Sequence, residues 1–176
     1  MTEASKRTRL ELYTSAFEAA LKKAIRTFWE HHHQQPAESE IEENIHSWTA
    51  SGHELYCILF EERFAGFLHM GERGGGAADW LEDLFVEKNC RGKGVASESI
   101  RQMEEKLKAE GRPSLYLEVV PRNEKALRLY HHLGFDVLNT VSLRKDFINY
   151  GKMKTETICN LEFRTTYPDP EPPEQE

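Results

Sequence analysis

Between Leu84 and Ile100 the chain reads LFVEKNCRGKGVASESI, and this stretch constrains the fold more than any other. A compact apolar run breaks into Arg91-Gly92-Lys93-Gly94-Val95-Ala96. Ala96, Ile100, Met103 and Leu107 then recur at helical spacing, before Gly111 and Pro113 act as stop signals. The stretch is therefore a buried strand, a glycine turn and an amphipathic helix. Amides at the mouth of a helix have no intrahelical acceptor, and the helix dipole adds partial positive charge there, so such a turn suits a phosphate. Gly92 and Gly94 permit close approach and turn conformations closed to other residues, and Arg91 and Lys93 add charge-assisted donors. A tight strand-to-helix turn with solvated charges is the alternative. Neither G-x-x-x-x-G-K-[ST] nor G-x-G-x-x-G fits this spacing, which excludes those two nucleotide frames.

The elements around this turn fix the fold class. Residues 8 to 13 read as a short strand. Ser15 with Glu18 then has capping-box spacing before a helix carrying Phe17, Ala20, Leu21, Ala24 and Phe28, which Pro36 ends. Ser39 with Glu42 repeats the pattern before Ile41, Ile45 and Trp48. From His53 the period changes to two: Leu55, Cys57 and Leu59, an EER turn, then Phe64, Gly66, Leu68 and Met70 predict a hairpin. Trp80 to Val86 is the next strand, and SLYLEVV follows the Gly94–Glu110 helix as another. Pro121 and Asn123 open a helix with Ala126, Tyr130 and Leu133 aligned, closed by Gly134. Phe135 to Leu143 and about Thr155 to Phe163 predict two last strands. Hairpin strands followed by strand-helix crossovers imply an α/β sandwich on a mixed, mostly antiparallel sheet of six to seven strands with about four helices.

At 176 residues the chain fills one core, so a single domain is expected over 1–166. The acidic, proline-rich ending at 167–176 is expected to be disordered. A formal net charge of −7, without basic runs interleaved with aromatics, argues against nucleic acid and suits a cationic partner. The start has no apolar stretch after its charges, and the longest apolar run, LYCILF, is far below the ~20 residues a membrane span needs. Cys57, Cys90 and Cys159 are scattered, as expected of reduced thiols, so a cytoplasmic protein without a membrane partner is predicted.

The residues Arg91-Gly92-Lys93-Gly94-Val95-Ala96 resemble the signature of the GNAT family of N-acetyltransferases: Arg or Gln, two residues, Gly, one residue, Gly or Ala. The segment NEKALRLYHHLGF from Asn123 to Phe135 is similar to a second feature of that family, and the resemblance covers roughly residues 79 to 135. The segment WLEDLFVEKNCRGKGVASE is further similar to the corresponding part of spermidine/spermine and thialysine N-acetyltransferases.

The resemblance implies roles residue by residue. The amides of Arg91, Gly92, Lys93, Gly94, Val95 and Ala96 would hold the pyrophosphate of acetyl-CoA, the co-substrate. The backbone of Leu84, Phe85 and Val86 would pair with the pantetheine arm, and Asn123 would hydrogen-bond it. Tyr130 would be the general acid for the departing thiolate; at a reference pKa of ≈ 10, a tyrosine is protonated at neutral pH. A backbone N–H of Phe85 or Val86 would serve the oxyanion. An alkylammonium must lose its proton before attack, at a cost of about 4 to 5 kcal/mol at pH 7. Glu82 is the favoured base, directly or through water, and Glu82 with Asp83 would bind the cationic amine. Adjacent strand residues face opposite sides, so only one of the two reaches a cleft unless a bulge turns the chain. Glu118 is a reserve candidate, and His69, out of phase with Leu68 and Met70, is a minor candidate to face a substrate. His31 to His33 point in three directions on a helix end, so no metal is expected.

The function implied is an acetyl-CoA-dependent N-acetyltransferase for a small cationic primary amine, polyamine-like or amino-acid-like, acting as a homodimer. The alternatives are a protein, peptide or aminoglycoside N-acetyltransferase, or a non-catalytic acyl-CoA-binding sensor.

Overall fold

The structure is a computed structural model, and it describes residues 7–74, 78–148 and 153–166. The proline-rich ending read as disordered, at 167–176, lies outside the described residues. The chain divides into two units, Met1–Glu118 and Val119–Glu176.

The first unit is built on a five-stranded sheet in the order β1 (Thr8–Leu12), β2 (His53–Phe60), β3 (Arg63–Gly71), β4 (Trp80–Val86), β5 (Tyr116–Leu117). The first four strands pair antiparallel and β5 pairs parallel to β4, which makes the sheet mixed as expected. The β2–β3 turn is Glu61-Glu62, both at positive φ, the geometry whose twist matches a two-residue hairpin.

Side chains alternate across this sheet, and each face has its own helices. On one face lie α1 (Glu18–His31) and α2 (Glu38–Trp48). Leu21, Ala24 and Ile25 of α1 and Ile41, Ile45 and Trp48 of α2 form one cluster with Leu55, Phe67 and Phe85 of the sheet. Each large side chain removed from water there contributes about 1.5–3 kcal/mol. The other face carries α3 (Val95–Ala109), packed on β1 and β4, with Ile100, Met103 and Leu107 buried. Gln102 of α3 also ties down the edge strand, accepting from Leu10 N–H at 3.1 Å and donating to Thr8 O at 2.9 Å.

Three local expectations are corrected. Neither the Ser15 nor the Ser39 pattern caps a helix. A 3-10 turn over Ser15–Phe17 leads into α1, and α2 begins one residue earlier than its serine, with Glu40 accepting the Ala37 N–H at 2.6 Å. SLYLEVV supplies only the two residues of β5.

The second unit holds α4 (Glu124–His132) and the hairpin β6 (Met153–Ile158) and β7 (Leu161–Thr166). The predicted strand at Phe135–Leu143 is absent: no strand among the described residues pairs with this segment, and its Val137, Leu138 and Leu143 are exposed. The stretch expected as one strand near Thr155–Phe163 is instead a hairpin. Cys159 and Asn160 both take positive φ at its tip, a two-residue turn in which Asn tolerates the left-handed region. Among the described residues the seven strands therefore divide into sheets of five and two rather than forming one. Among the described residues no helix is long and apolar enough to cross a membrane.

Candidate active site

The glycine turn has the geometry its sequence requires. Gly92 and Gly94 stand at φ +71° and +80°, left-handed conformations that a side chain disfavours. Glu98 N–H donates to Gly94 O at 3.0 Å and closes the first helical turn of α3. The amides from Gly92 to Ser97 find no acceptor within hydrogen-bonding geometry among the described residues. Arg91 does not point its guanidinium into the turn. Its Nε donates to Val86 O at 2.7 Å and its Cζ lies 5.6 Å from the centre of the Phe85 ring, fastening the turn to the end of β4.

Beside the turn, β4 presents an open edge. Its pairing with β5 is confined to Trp80↔Tyr116 and Leu81↔Leu117, so on that side Leu84, Phe85 and Val86 have no ladder partner among the described residues. Their opposite edge pairs with β3, where Gly66 allows a very close approach. A Cβ there would strike the Phe85 carbonyl oxygen and stand 3.0 Å from Val86 Cα. Free amides at a helix mouth and an unpaired strand edge together fit an extended chain ending in a pyrophosphate, as the pantetheine and diphosphate of coenzyme A require.

The acidic pair lies on the same strand. The β3–β4 register runs His69↔Asp83 and then Met70↔Leu81, so Glu82 is an extra residue and forms a bulge. The bulge turns both consecutive acids to the helix α1–α2 face. Asp83 Oδ2 meets His69 Nδ1 at 2.8 Å, and His69 stacks on Trp48 of α2. A Cβ on Gly71 would lie 2.9 Å from Glu82 Cγ and 3.2 Å from His53 Cε1, so the Glu82 and His53 side chains share the space that glycine leaves open.

Neither acid is free. Glu82 takes a bidentate pair from Arg73, with Nε to Oε1 at 2.9 Å and Nη2 to Oε2 at 2.6 Å. Arg73 also reaches Glu118 at 3.0 Å and lies 4.1 Å over the Trp80 ring; the two carboxylates push its already high pKa further up. Asp83 is engaged by His69, and His69, a minor candidate to face a substrate, is 3% exposed. His53 Nδ1 lies 2.9 Å from His69 Nε2.

The remaining candidates belong to the second unit, both on α4. Asn123 caps the helix, its Oδ1 accepting from Ala126 N–H at 3.2 Å, which leaves its side-chain NH₂ to donate elsewhere. Tyr130 sits at the helix end, where Gly134 at φ +96° closes the turn: Phe135 N–H bonds Tyr130 O at 3.1 Å and Gly134 N–H bonds His131 O at 3.0 Å. The Tyr130 ring packs edge-on against Phe135 at 5.8 Å, and burial raises its hydroxyl pKa above the usual tyrosine value, so it holds its proton at neutral pH. His31, at the end of α1, bonds Thr27 O at 2.6 Å, and His33 takes positive φ in an exposed turn.

Arg73, His53 and Trp80 were not legible as site residues. Arg73 stands in a glycine-rich segment without periodicity, and His53 is joined to the acids only through the register of three strands.

Comparison with known proteins bears on the family and the fold. The chain is 27% identical over 117 residues to a mycothiol acetyltransferase of Brachybacterium faecium, an alignment covering 64% of this chain and 35% of that protein. It is 32% identical over 65 residues to an acetyltransferase of Pectobacterium atrosepticum, covering 37% of this chain and 46% of that one. The chain thus spans less than half the length of these relatives. Among solved structures, the aminoglycoside N-acetyltransferase AAC(6')-Iy, in complex with a bisubstrate analogue of CoA and acetylneamine, superposes with a TM-score of 0.62. That match has 16% identity over 80% of this chain and 99% of the other, a likeness of fold. The model of the acetyltransferase (GNAT) family matches residues 16–135, and the chain belongs to that family.

Proposed function

We propose that this protein transfers the acetyl group of acetyl-CoA to the primary amine of a small cationic acceptor, polyamine-like or amino-acid-like. The observation that carries this reading is the row of unfilled amides from Gly92 to Ser97 beside the unpaired edge of β4. Acetyl-CoA, when bound, supplies an activated acetyl thioester. The amides of Gly92, Lys93, Gly94, Val95 and Ala96 hold its pyrophosphate, while the Arg91 N–H, expected among them, donates instead to Lys88 O at 3.3 Å and so leaves Arg91 to anchor the turn. Leu84, Phe85 and Val86 pair with its arm, and the Asn123 side chain donates to it. The Phe85 or Val86 amide donates to the acetyl carbonyl oxygen.

Tyr130 donates a proton to the sulfur that leaves, a role supported by a pKa that burial raises. Glu82 and Asp83 supply negative charge for the ammonium, and Glu82 is where the ammonium gives up its proton, directly or through water. The bulge at Glu82 supports this, because it turns both acids to one face. Arg73, a cation seated on Glu82, Glu118 and Trp80, occupies the place a substrate cation would take. Relatives of the fold that act on aminoglycosides also favour a polycation, and such antibiotics belong in the same test. We expect a homodimer working in the cytoplasm.

The test is a thiol-release assay with acetyl-CoA against polyamines, lysine analogues, aminoglycosides and short peptides. Acetylation of a cationic amine supports the reading. Coenzyme A binding without turnover of any amine favours an acyl-CoA sensor instead, and no affinity for coenzyme A overturns the assignment.

A further inference from the structure

Three strands of the sheet contribute one side chain each to a continuous hydrogen-bonded line: His53 of β2, His69 of β3 and Asp83 of β4. The two imidazole centres are 5.1 Å apart with their planes 22° from parallel, the arrangement of an in-plane N–H···N bond between rings. His69 is fixed from a third side by the Trp48 indole, 4.8 Å away and 20° from parallel. Such a line is not needed for packing, since apolar side chains fill the same layer nearby.

The line has a direction that follows from its end. An ionised carboxylate only accepts, so His69 must carry its hydrogen on Nδ1 and present a lone pair at Nε2. That lone pair in turn accepts the Nδ1 hydrogen of His53, which leaves the His53 lone pair on Nε2. Nε2 has no hydrogen bond among the described residues, and His53 is only partly buried beside Glu82 over Gly71. Two tautomers are set by one aspartate, and the basic atom belongs to a ring that shares the space over Gly71 with the Glu82 side chain.

We propose that His53, His69 and Asp83 form a proton relay in which His53 Nε2 takes up the proton that the acceptor ammonium releases at Glu82. This rests on the N-acetyltransferase reading above. The N–H bond electrons stay on the amine as the lone pair that attacks; the proton, passed on from Glu82 or its water, forms a new bond to His53 Nε2. The imidazolium charge is met by Asp83 through His69. His69 and Asp83 are positioning residues, and Glu82, held by Arg73 through both oxygens, draws the ammonium in, takes its proton directly or through water and hands it on to His53. Among the described residues, the charged groups around the relay are Asp83 and Glu82 of β4 and Arg73 after β3, with Glu72 over the neighbouring Gly52, while α2 contributes the neutral Trp48 ring. Glu54 of β2 lies on the opposite face with Tyr56 and Lys106.

The test combines kinetics with nitrogen-15 spectroscopy of the histidine rings in the full chain. His53→Ala is expected to lower kcat with the acceptor by ~10²-fold or more, leave the KM for acetyl-CoA unchanged, remove the imidazole limb of the pH profile, and regain activity on addition of free imidazole. Asp83→Asn, whose NH₂ reverses both tautomers, is expected to reproduce the loss without imidazole rescue. Because His69 is buried and its variants risk misfolding, the wild-type spectrum gives a measurement free of substitution: both rings must show the Nδ1–H tautomer. An active wild type whose His53→Ala variant keeps its rate and pH profile overturns the relay, as does an Nε2–H tautomer at His53. If the wild type acetylates no amine while the tautomers are as expected, the functional reading fails and takes the relay with it.

Discussion

Arg73 and Glu82 form a two-pronged pair across the edge of the candidate acceptor site, at 2.9 and 2.6 Å. Arg73 is 39% and Glu82 21% exposed at the side chain, so solvent screens the attraction. Half-exposed pairs of this kind are worth about 0.2–1 kcal/mol. A cationic acceptor has to displace or share this arginine. Arg73→Ala is therefore expected to lower the KM for a cationic amine by about two- to fivefold, with the KM for acetyl-CoA unchanged. Steady-state kinetics at low salt read this out; an unchanged or raised acceptor KM places the ammonium elsewhere.

The turn proposed to hold the diphosphate depends on backbone conformation more than on charge. Gly94 precedes α3 at φ +80°, where a Cβ costs about 1–2 kcal/mol. Relief of that strain would rotate the amides of Val95 and Ala96 away from a common point. Gly94→Ala is expected to weaken coenzyme A binding about tenfold or more while lowering stability by only that strain. Calorimetric titration beside thermal melts separates the two effects, and equal binding by both proteins contradicts the role given to these amides.

How much of this was legible in the sequence depends on the range of each interaction. The strand, turn and helix from Trp80 to Ala109 were readable because glycine at a phosphate turn and a helical apolar stripe are local signals. Glu82 and Asp83 were readable as charges, but their partners come from β2, β3 and the segment after β3. Those contacts exist only through strand register, and the bulge that turns both acids to one face has no signature in the letters of one strand. The segment after Gly134 shows the converse. Its apolar alternation is that of a strand, yet a strand needs a partner edge, and Val137 and Leu138 lie exposed without one among the described residues. A single strand was expected across Cys159-Asn160 because apolar pattern outweighed a weak turn signal, where two positive φ values reverse the chain.

Gly66 links the fold to β4, the strand proposed to pair with the cofactor arm. Its missing side chain lets β3 approach the Phe85 carbonyl, and a methyl group there meets backbone that cannot rotate away. Gly66→Ala is expected to cost about 3 kcal/mol, among the larger single-site effects, and to weaken coenzyme A binding through displacement of β4. Urea unfolding with an unchanged m-value and a lower midpoint checks the first effect.

Cys57 lies in the core, and burial pushes its thiol pKa up from 9.0 to about 12. A raised pKa means that the folded state holds a proton the unfolded chain releases. The associated stability is therefore intact below the unfolded thiol value and is lost as pH rises from about 9 toward 12, at up to about 1.4 kcal/mol per pH unit. Urea midpoints measured from pH 7 to 10.5 should be level at first and then fall, and Cys57→Val should flatten the onset near pH 9. The same protonation predicts that alkylating reagents at pH 8 label the exposed Cys159 and spare Cys57 in the native protein, as peptide mass mapping would detect.

Tyr130 is the residue whose chemistry and packing are most easily confused, because its ring also closes the end of α4 against Phe135. Tyr130→Phe separates the two, since it keeps the ring and removes only the proton. If the tyrosine protonates the leaving sulfur, kcat should fall about 10²- to 10⁴-fold with coenzyme A binding and melting temperature nearly unchanged. Burial raises the Tyr130 pKa above its ordinary value, so the wild-type rate should show no loss from this group through pH 9. The remaining activity of Tyr130→Phe should recover part of its rate with a thioester whose thiol is more acidic, because a better leaving group has less need of the proton. A variant that turns over acetyl-CoA at the wild-type rate would reduce Tyr130 to the hydrophobic clasp of its helix and move the acid elsewhere.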